Sequence, residues 1–209
     1  MSQDIPRAAV LLSGGGRTLQ NLSELAGRDE LACELGLVIG SKPGLRGLER
    51  AKSFGLPTQV IDPQRELDPE PFSRAIFSAV QDDGCDLVIL AGFLRYLPIP
   101  EAWLGRVINI HPSLLPAFGG KGFYGDRVHK AVLERGVQFT GCTVHYVDNV
   151  YDNGPIILQR CVEVHPGDDV QSLAARVFEE EKRALPEALA KHVRRGFAVR
   201  NLERGPGHG

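Results

Sequence analysis

Apolar positions along this chain fall into two recurring patterns. Short apolar-rich runs at residues 8–12, 35–39, 58–61, 86–90 and 107–110 are separated by segments at 18–25, 48–54 and 72–81 whose apolar residues sit three and four apart. The runs lack polar alternation and read as strands buried on both faces, while the spaced segments read as helices. Strand alternating with helix predicts an α/β fold: a doubly wound, mostly parallel, Rossmann-like sheet.

The second half changes character. Residues 124–135 read as a helix, and 142–147 and 155–162 as one antiparallel strand pair joined across 148–154. A long amphipathic helix from 170 to about 195 follows, capped by Asp168-Asp169. Pro186 is expected to kink or break that helix, because its ring removes a backbone donor. The pattern predicts a single domain over 1–200, with an N-terminal half at about 8–105, a C-terminal half at about 106–200, and a flexible tail at 201–209.

Composition narrows the class. The 209 residues are 43% hydrophobic and 24% charged, the profile of an ordinary globular chain rather than a disordered one. Lys and Arg total 24 against 26 Asp and Glu, a net charge of −2, so no basic field exists to attract nucleic acid or an anionic membrane. No apolar stretch follows a basic start, so neither a secretory signal nor a membrane span is expected, and the expected setting is cytoplasmic. Cys33, Cys85, Cys142 and Cys161 are widely spaced, with no Cys-x-x-Cys pair. They read as reduced, buried thiols rather than a zinc or redox motif.

Three places carry candidate chemistry. The turn Ser13-Gly14-Gly15-Gly16 between the first strand and helix puts backbone N–H groups where an anion can be held. Leu19 replaces the third glycine of a dinucleotide fingerprint, so the reading is a single phosphate cradled by Gly16, Arg17 and Thr18, or else a plain tight turn. Asn109 and His111 lie two apart at the end of a strand, so an amide and an imidazole emerge on one face. Open α/β sheets bind ligands at such carboxyl ends. A third polar point lies in the loop holding Asp148, Asn149 and Asp152, among which spacing does not choose. His145 falls inside an alternating strand and reads as a satisfied core histidine; His129, His165, His192 and His208 belong to no polar grouping, and no metal-ligand spacing occurs.

The string Asn109-Ile110-His111-Pro112-Ser113-Leu114-Leu115-Pro116, followed later by Asp152-x-Gly154-Pro155, resembles the signature of the folate-dependent formyltransferase family. The likeness runs from about residue 10 to 193. Ser13-Gly14-Gly15-Gly16-Arg17-Thr18-Leu19-Gln20-Asn21-Leu22 resembles the phosphate loop of the branch that formylates glycinamide ribonucleotide, and Leu90-Ala91-Gly92-Phe93-Leu94-Arg95-Tyr96-Leu97 its folate segment. The resemblance implies formyl transfer from 10-formyltetrahydrofolate, a co-substrate rather than a tightly bound cofactor, to the ribonucleotide amine in purine biosynthesis. Asn109, His111 and Asp152 would be catalytic, and Gly16, Arg17, Thr18 and Glu181 would hold the ribonucleotide. Leu94, Arg95, Tyr96, Leu97, Asn109, Asp148 and Asp152 would line the folate pocket, with no metal.

The implied partners are these small molecules, without nucleic acid or membrane, and the implied state is monomer or homodimer. Relatives that act on tRNA carry an extra C-terminal module and the hydrolase branch an N-terminal one; a chain of this length is expected to hold neither. Two departures stand out. The phosphate turn reads Gly-Arg-Thr where Gly-Ser-Asn is frequent, so Arg17 either adds a charge-assisted contact or points to solvent. An arginine often found at the start of the third helix is Pro69 here, with Arg74 nearby but not in register. Two readings compete with transfer: hydrolysis of the formyl-folate by water, and a non-catalytic nucleotide-binding module.

Overall fold

A computed structural model describes residues 5–63 and 68–195; the expected tail at 201–209 lies outside the described residues. Seven strands form one sheet: β1 (Arg7–Leu12), β2 (Glu34–Gly40), β3 (Thr58–Val60), β4 (Leu87–Leu90), β5 (Val107–His111), β6 (Phe139–Tyr146) and β7 (Ile156–Glu163). Their spatial order is β3-β2-β1-β4-β5-β6-β7, so strand order reverses between β1 and β4. The first five strands are parallel. β6 runs antiparallel to β5 and β7 antiparallel to β6, which extends the expected single antiparallel pair by one more pairing.

Strand parity explains the uninterrupted apolar runs. Ala8, Val10 and Leu12 of β1 face one core with Leu19 and Leu22 of α1 (Arg17–Ala26) and Leu48 and Ala51 of α2 (Arg46–Ser53). The same core takes Val132 of α4 (Asp126–Arg135) and Leu173, Val177 and Leu185 of α5 (Val170–Arg194). Ala9 and Leu11 face the opposite core with Phe72, Ile76 and Phe77 of α3 (Glu70–Asp82) and with Trp103. Both faces are therefore covered, and polar alternation has no place in β1.

The long helix corrects one expectation. α5 runs unbroken through Pro186. Proline at that position leaves the carbonyl of Lys182, four residues earlier, without its helical donor, and the Asn21 side chain of α1 donates to it at 3.0 Å. At the start of α5, Asp169 accepts from the Ser172 N–H in a capping box. Asp168 receives both Arg176 terminal nitrogens at 2.7 and 2.8 Å, which holds its carboxyl well below the usual carboxylate range.

A second correction concerns the thiols. Cys33, Cys85 and Cys142 are buried, and burial pushes Cys33 and Cys142 up to about 12 and Cys85 up to about 11. Cys161 is exposed. It lies on β7, an edge strand, where alternation turns it outward while Val162 turns in. Among the described residues no helix is long and apolar enough to cross a membrane.

Candidate active site

The carboxyl ends of β1, β4 and β5 open into one crevice made of three cavities that share walls. The first is lined by Gly14, Gly15, Gly16, Arg17, Thr18 and Glu181 among others, and has a volume of about 380 Å³, within the ~300–1,000 Å³ range of small-molecule sites. Leu94, Ile110 and Tyr124 pass from it into a middle cavity that includes Asn109, His111 and Asp152. Phe93, Arg95, Asn109 and Tyr151 then pass into a third, which adds Tyr96, Leu97, His145 and Asp148.

The first end is built from main chain. Gly16 caps α1 with φ 71° and ψ 33°, and no side chain caps the first turn. A Cβ on Gly16 would lie 2.6 Å from the Gly47 Cα, so only glycine fits there. The first-turn N–H groups and the positive end of the α1 dipole are thereby left to a ligand in the crevice. Ser13 ties this turn to the neighbouring loop: its Oγ accepts from the Leu94 N–H at 3.0 Å and from the Ser41 hydroxyl at 2.8 Å.

Arg17 is exposed, and its side chain leans against α5. Its guanidinium lies 3.7 Å above the centre of the Phe178 ring on α5, a cation–π stack that holds it against the cavity wall. Glu181, one helical turn beyond Phe178, is half-buried, and burial pushes its carboxyl up to about 7 against the opposing pull of Arg17.

The middle is built from side chains. Asn109 and His111 emerge from the same face of β5 as their spacing predicts, and His111 is buried. The imidazole Nε2 lies 2.9 Å from the carbonyl of Phe118. A carbonyl only accepts, so Nε2 carries a proton. Nδ1 faces Asp152 Oδ1 at 3.6 Å. Asp152 adopts a left-handed backbone (φ 53°), and its Oδ2 accepts from the Gly120 N–H at 2.8 Å. One carboxylate thus braces the loop after β5 while turning its other oxygen to the imidazole. Gly154 permits this approach: a Cβ there would lie 1.9 Å from the Tyr146 carbonyl oxygen.

Asp148, Asn149 and Asp152, the three candidates between β6 and β7, divide cleanly. Asp148 is spent inside its loop, accepting from the Val150 N–H at 2.8 Å and the Asn153 side chain at 2.9 Å. Asn149 clips that loop to Ile99, accepting from its N–H at 2.7 Å. Of the three, only Asp152 pairs with the histidines.

His145 is the residue the sequence reading set aside, and it belongs to the site. Antiparallel register pairs it directly with Asn109, and its Nε2 lies 3.1 Å from the Asn109 Nδ2. Nδ1 lies 2.8 Å from the Tyr146 carbonyl, so it holds the ring proton and Nε2 accepts. Burial pushes the imidazole down, consistent with this neutral form. The amide of Asn109 is thereby oriented: one N–H is taken by His145, and the other is left for the crevice. No local sequence signal carries this; the β5–β6 register does.

Of the expected folate residues, Arg95, Tyr96, Leu97, Asn109, Asp148 and Asp152 line the third cavity, whereas Leu94 lines the other two. The rings of Tyr96 and Tyr151 meet at 5.3 Å over its edge. Pro69 caps α3 and brings no charge, and Arg74 lines none of the three cavities. Among the described residues, no group of three or more His, Cys, Asp or Glu side chains is placed to hold a metal ion.

Residues 6–189 match the formyl transferase family. Over 185 residues the chain is 42% identical to a protein from Gallus gallus named trifunctional purine biosynthetic protein adenosine-3, covering 88% of this chain and 18% of that one. It therefore spans less than a fifth of that relative's length. It is 37% identical over 186 residues to a chloroplastic phosphoribosylglycinamide formyltransferase of Arabidopsis thaliana, covering 88% of this chain and 64% of that one. Its fold is similar to the crystal structure of glycinamide ribonucleotide transformylase 1 from Symbiobacterium toebii, with a TM-score of 0.82 and 39% identity, covering 88% of this chain and 86% of that one.

Proposed function

The chain belongs to the formyl transferase family, and from that premise we propose that it transfers the formyl group of 10-formyltetrahydrofolate to the amine of glycinamide ribonucleotide, in purine biosynthesis and in the cytoplasm. The observation that carries this reading is the continuity of the crevice: an anion cradle at one end, Asn109, His111 and Asp152 in the middle, and an aromatic-edged cavity at the other. A phosphate seated on Gly16, Arg17 and Thr18 would point its attached amine toward β5. The folate would enter from the side of Arg95, Tyr96 and Leu97, with Leu94 at the junction and Asp148 shaping the loop beside it. Relatives named for phosphoribosylglycinamide or glycinamide ribonucleotide support this choice of acceptor.

In this mechanism the amine nitrogen attacks the formyl carbon. A C–N bond forms, the carbonyl π electrons move to oxygen, and a tetrahedral oxyanion develops. The free N–H of Asn109 donates to that oxygen, its amide already aligned by His145. Collapse of the intermediate breaks the bond to the folate nitrogen, which must gain a proton while the attacking nitrogen loses one. His111 is the group placed to move it: Nε2 is held by Phe118, leaving Nδ1, beside Asp152, as the mobile position. Asp152 then acts by its charge and by fixing the ring, without taking the proton itself.

The test is to mix the protein with 10-formyltetrahydrofolate, with and without glycinamide ribonucleotide, and to follow tetrahydrofolate and formate. Tetrahydrofolate formed only with the acceptor, and without free formate, is the expected outcome. Formate released in the absence of acceptor would replace transfer with hydrolysis.

A further inference from the structure

His129 lines the first cavity from the first turn of α4, and neither the fold nor the proposed chemistry gives it a use. It is 4% exposed, and its Nδ1 is buried without a hydrogen-bond partner. Neither ring nitrogen is bonded to any other described residue. Buried polar groups are ordinarily paired, and an apolar side chain would fill the same space at lower cost. The ring is thereby left open to a hydrogen-bonding group in the cavity it lines.

The chemistry of that ligand group follows from the state of the ring. Burial pushes His129 down, His111 adds in the same direction, and Asp126 opposes both. A neutral imidazole offers one N–H and one lone pair, the complement of a hydroxyl, which also donates and accepts. A phosphate only accepts, and it has its own seat on the main chain at Gly14 to Thr18, beside Arg17. Glu181, across the same cavity, is a second group suited to hydroxyls. His129 shares this cavity with the phosphate turn and with Ile110 and Pro112, the neighbours of His111, which is where a sugar joining phosphate to amine would lie.

We propose that His129 is an acceptor-recognition residue that exchanges a hydrogen bond with a ribose hydroxyl of the ribonucleotide; this rests on the formyl-transfer reading above. The experiment compares wild type with His129→Ala and His129→Gln, using glycinamide ribonucleotide and its 2′-deoxy and 3′-deoxy counterparts, with kcat and both KM values measured for each. Loss of one neutral hydrogen bond should raise the acceptor KM about tenfold in His129→Ala, with kcat and the folate KM unchanged. One deoxy acceptor should show the same rise with wild type and no further rise with the variant. The side-chain amide of His129→Gln, both donor and acceptor, should recover part of the loss. An unchanged acceptor KM, or an alanine penalty undiminished with both deoxy acceptors, overturns the assignment. If the alanine variant does not fold, His129→Leu, which fills the space without polar atoms, serves the same comparison. A wild type with no ribonucleotide-dependent turnover overturns the functional reading, and this assignment falls with it.

Discussion

The cradle end of the crevice and its middle are built by opposite means. Beyond β1, the anion cradle is main chain: a left-handed Gly16, an uncapped helix start, and a close approach to Gly47. Beyond β5, the proposed reacting centre is side chain: Asn109, His111, His145 and Asp152 brace one another through imidazole, amide and carboxylate contacts. A main-chain site is indifferent to most side-chain identities but cannot accept a Cβ at its tightest point. A side-chain site has the reverse sensitivity. On this account the Gly-Arg-Thr turn tolerates changes at Arg17 and Thr18 that Asn109 and His111 would not tolerate.

The strongest test of that contrast is at the reacting centre. Asn109→Ala removes an oxyanion donor and should lower turnover by about 10²–10³, while Asp152→Asn should leave both KM values near wild type and still collapse kcat. Steady-state kinetics with both substrates checks this, and retained turnover in Asp152→Asn would remove Asp152 from the mechanism. At the cradle, Gly16→Ala should cost about 2 kcal/mol of stability from the left-handed backbone alone, and should raise the acceptor KM more than it lowers kcat. Denaturant unfolding with kinetics reads both, and a variant as stable as wild type with normal acceptor binding would break the main-chain account. The smallest effect belongs to the brace. His145→Leu leaves Asn109 in place without its acceptor, and turnover should fall about tenfold, the worth of one neutral hydrogen bond. His145→Gln, which can still accept, should fall less. Equal losses in the two would mean that His145 serves packing rather than orientation.

The same contrast governs what could be read from sequence. Element order and the pairing of apolar runs with helices were legible because parity and spacing are local. Asn109 and His111 were legible as a pair because two residues of one strand share a face. His145 was not, because its role comes from lying opposite Asn109 across β5 and β6, and neither strand records its register. Spacing left Asp152 and Asp148 open, and only the family resemblance chose Asp152: both sit in one loop, and only the folded loop spends Asp148 on itself. Pro186 misled because the Asn21 side chain that satisfies the freed carbonyl is 161 positions from Lys182.

The position of β4 between β1 and β5 turns the sheet into a ruler. Neighbouring strands lie about 4.8 Å apart, so the step from the end of β1 to the end of β5 is about 10 Å across the sheet. That interval is fixed by backbone hydrogen bonds rather than by any residue in the crevice, and no side-chain substitution resets it. Under the proposed function, an acceptor carrying its anion and its amine near that separation would engage the cradle and the centre together. Molecules with the right groups on a shorter frame would reach the cradle or the centre but not both, so under this reading selection by length is built into the strand spacing itself.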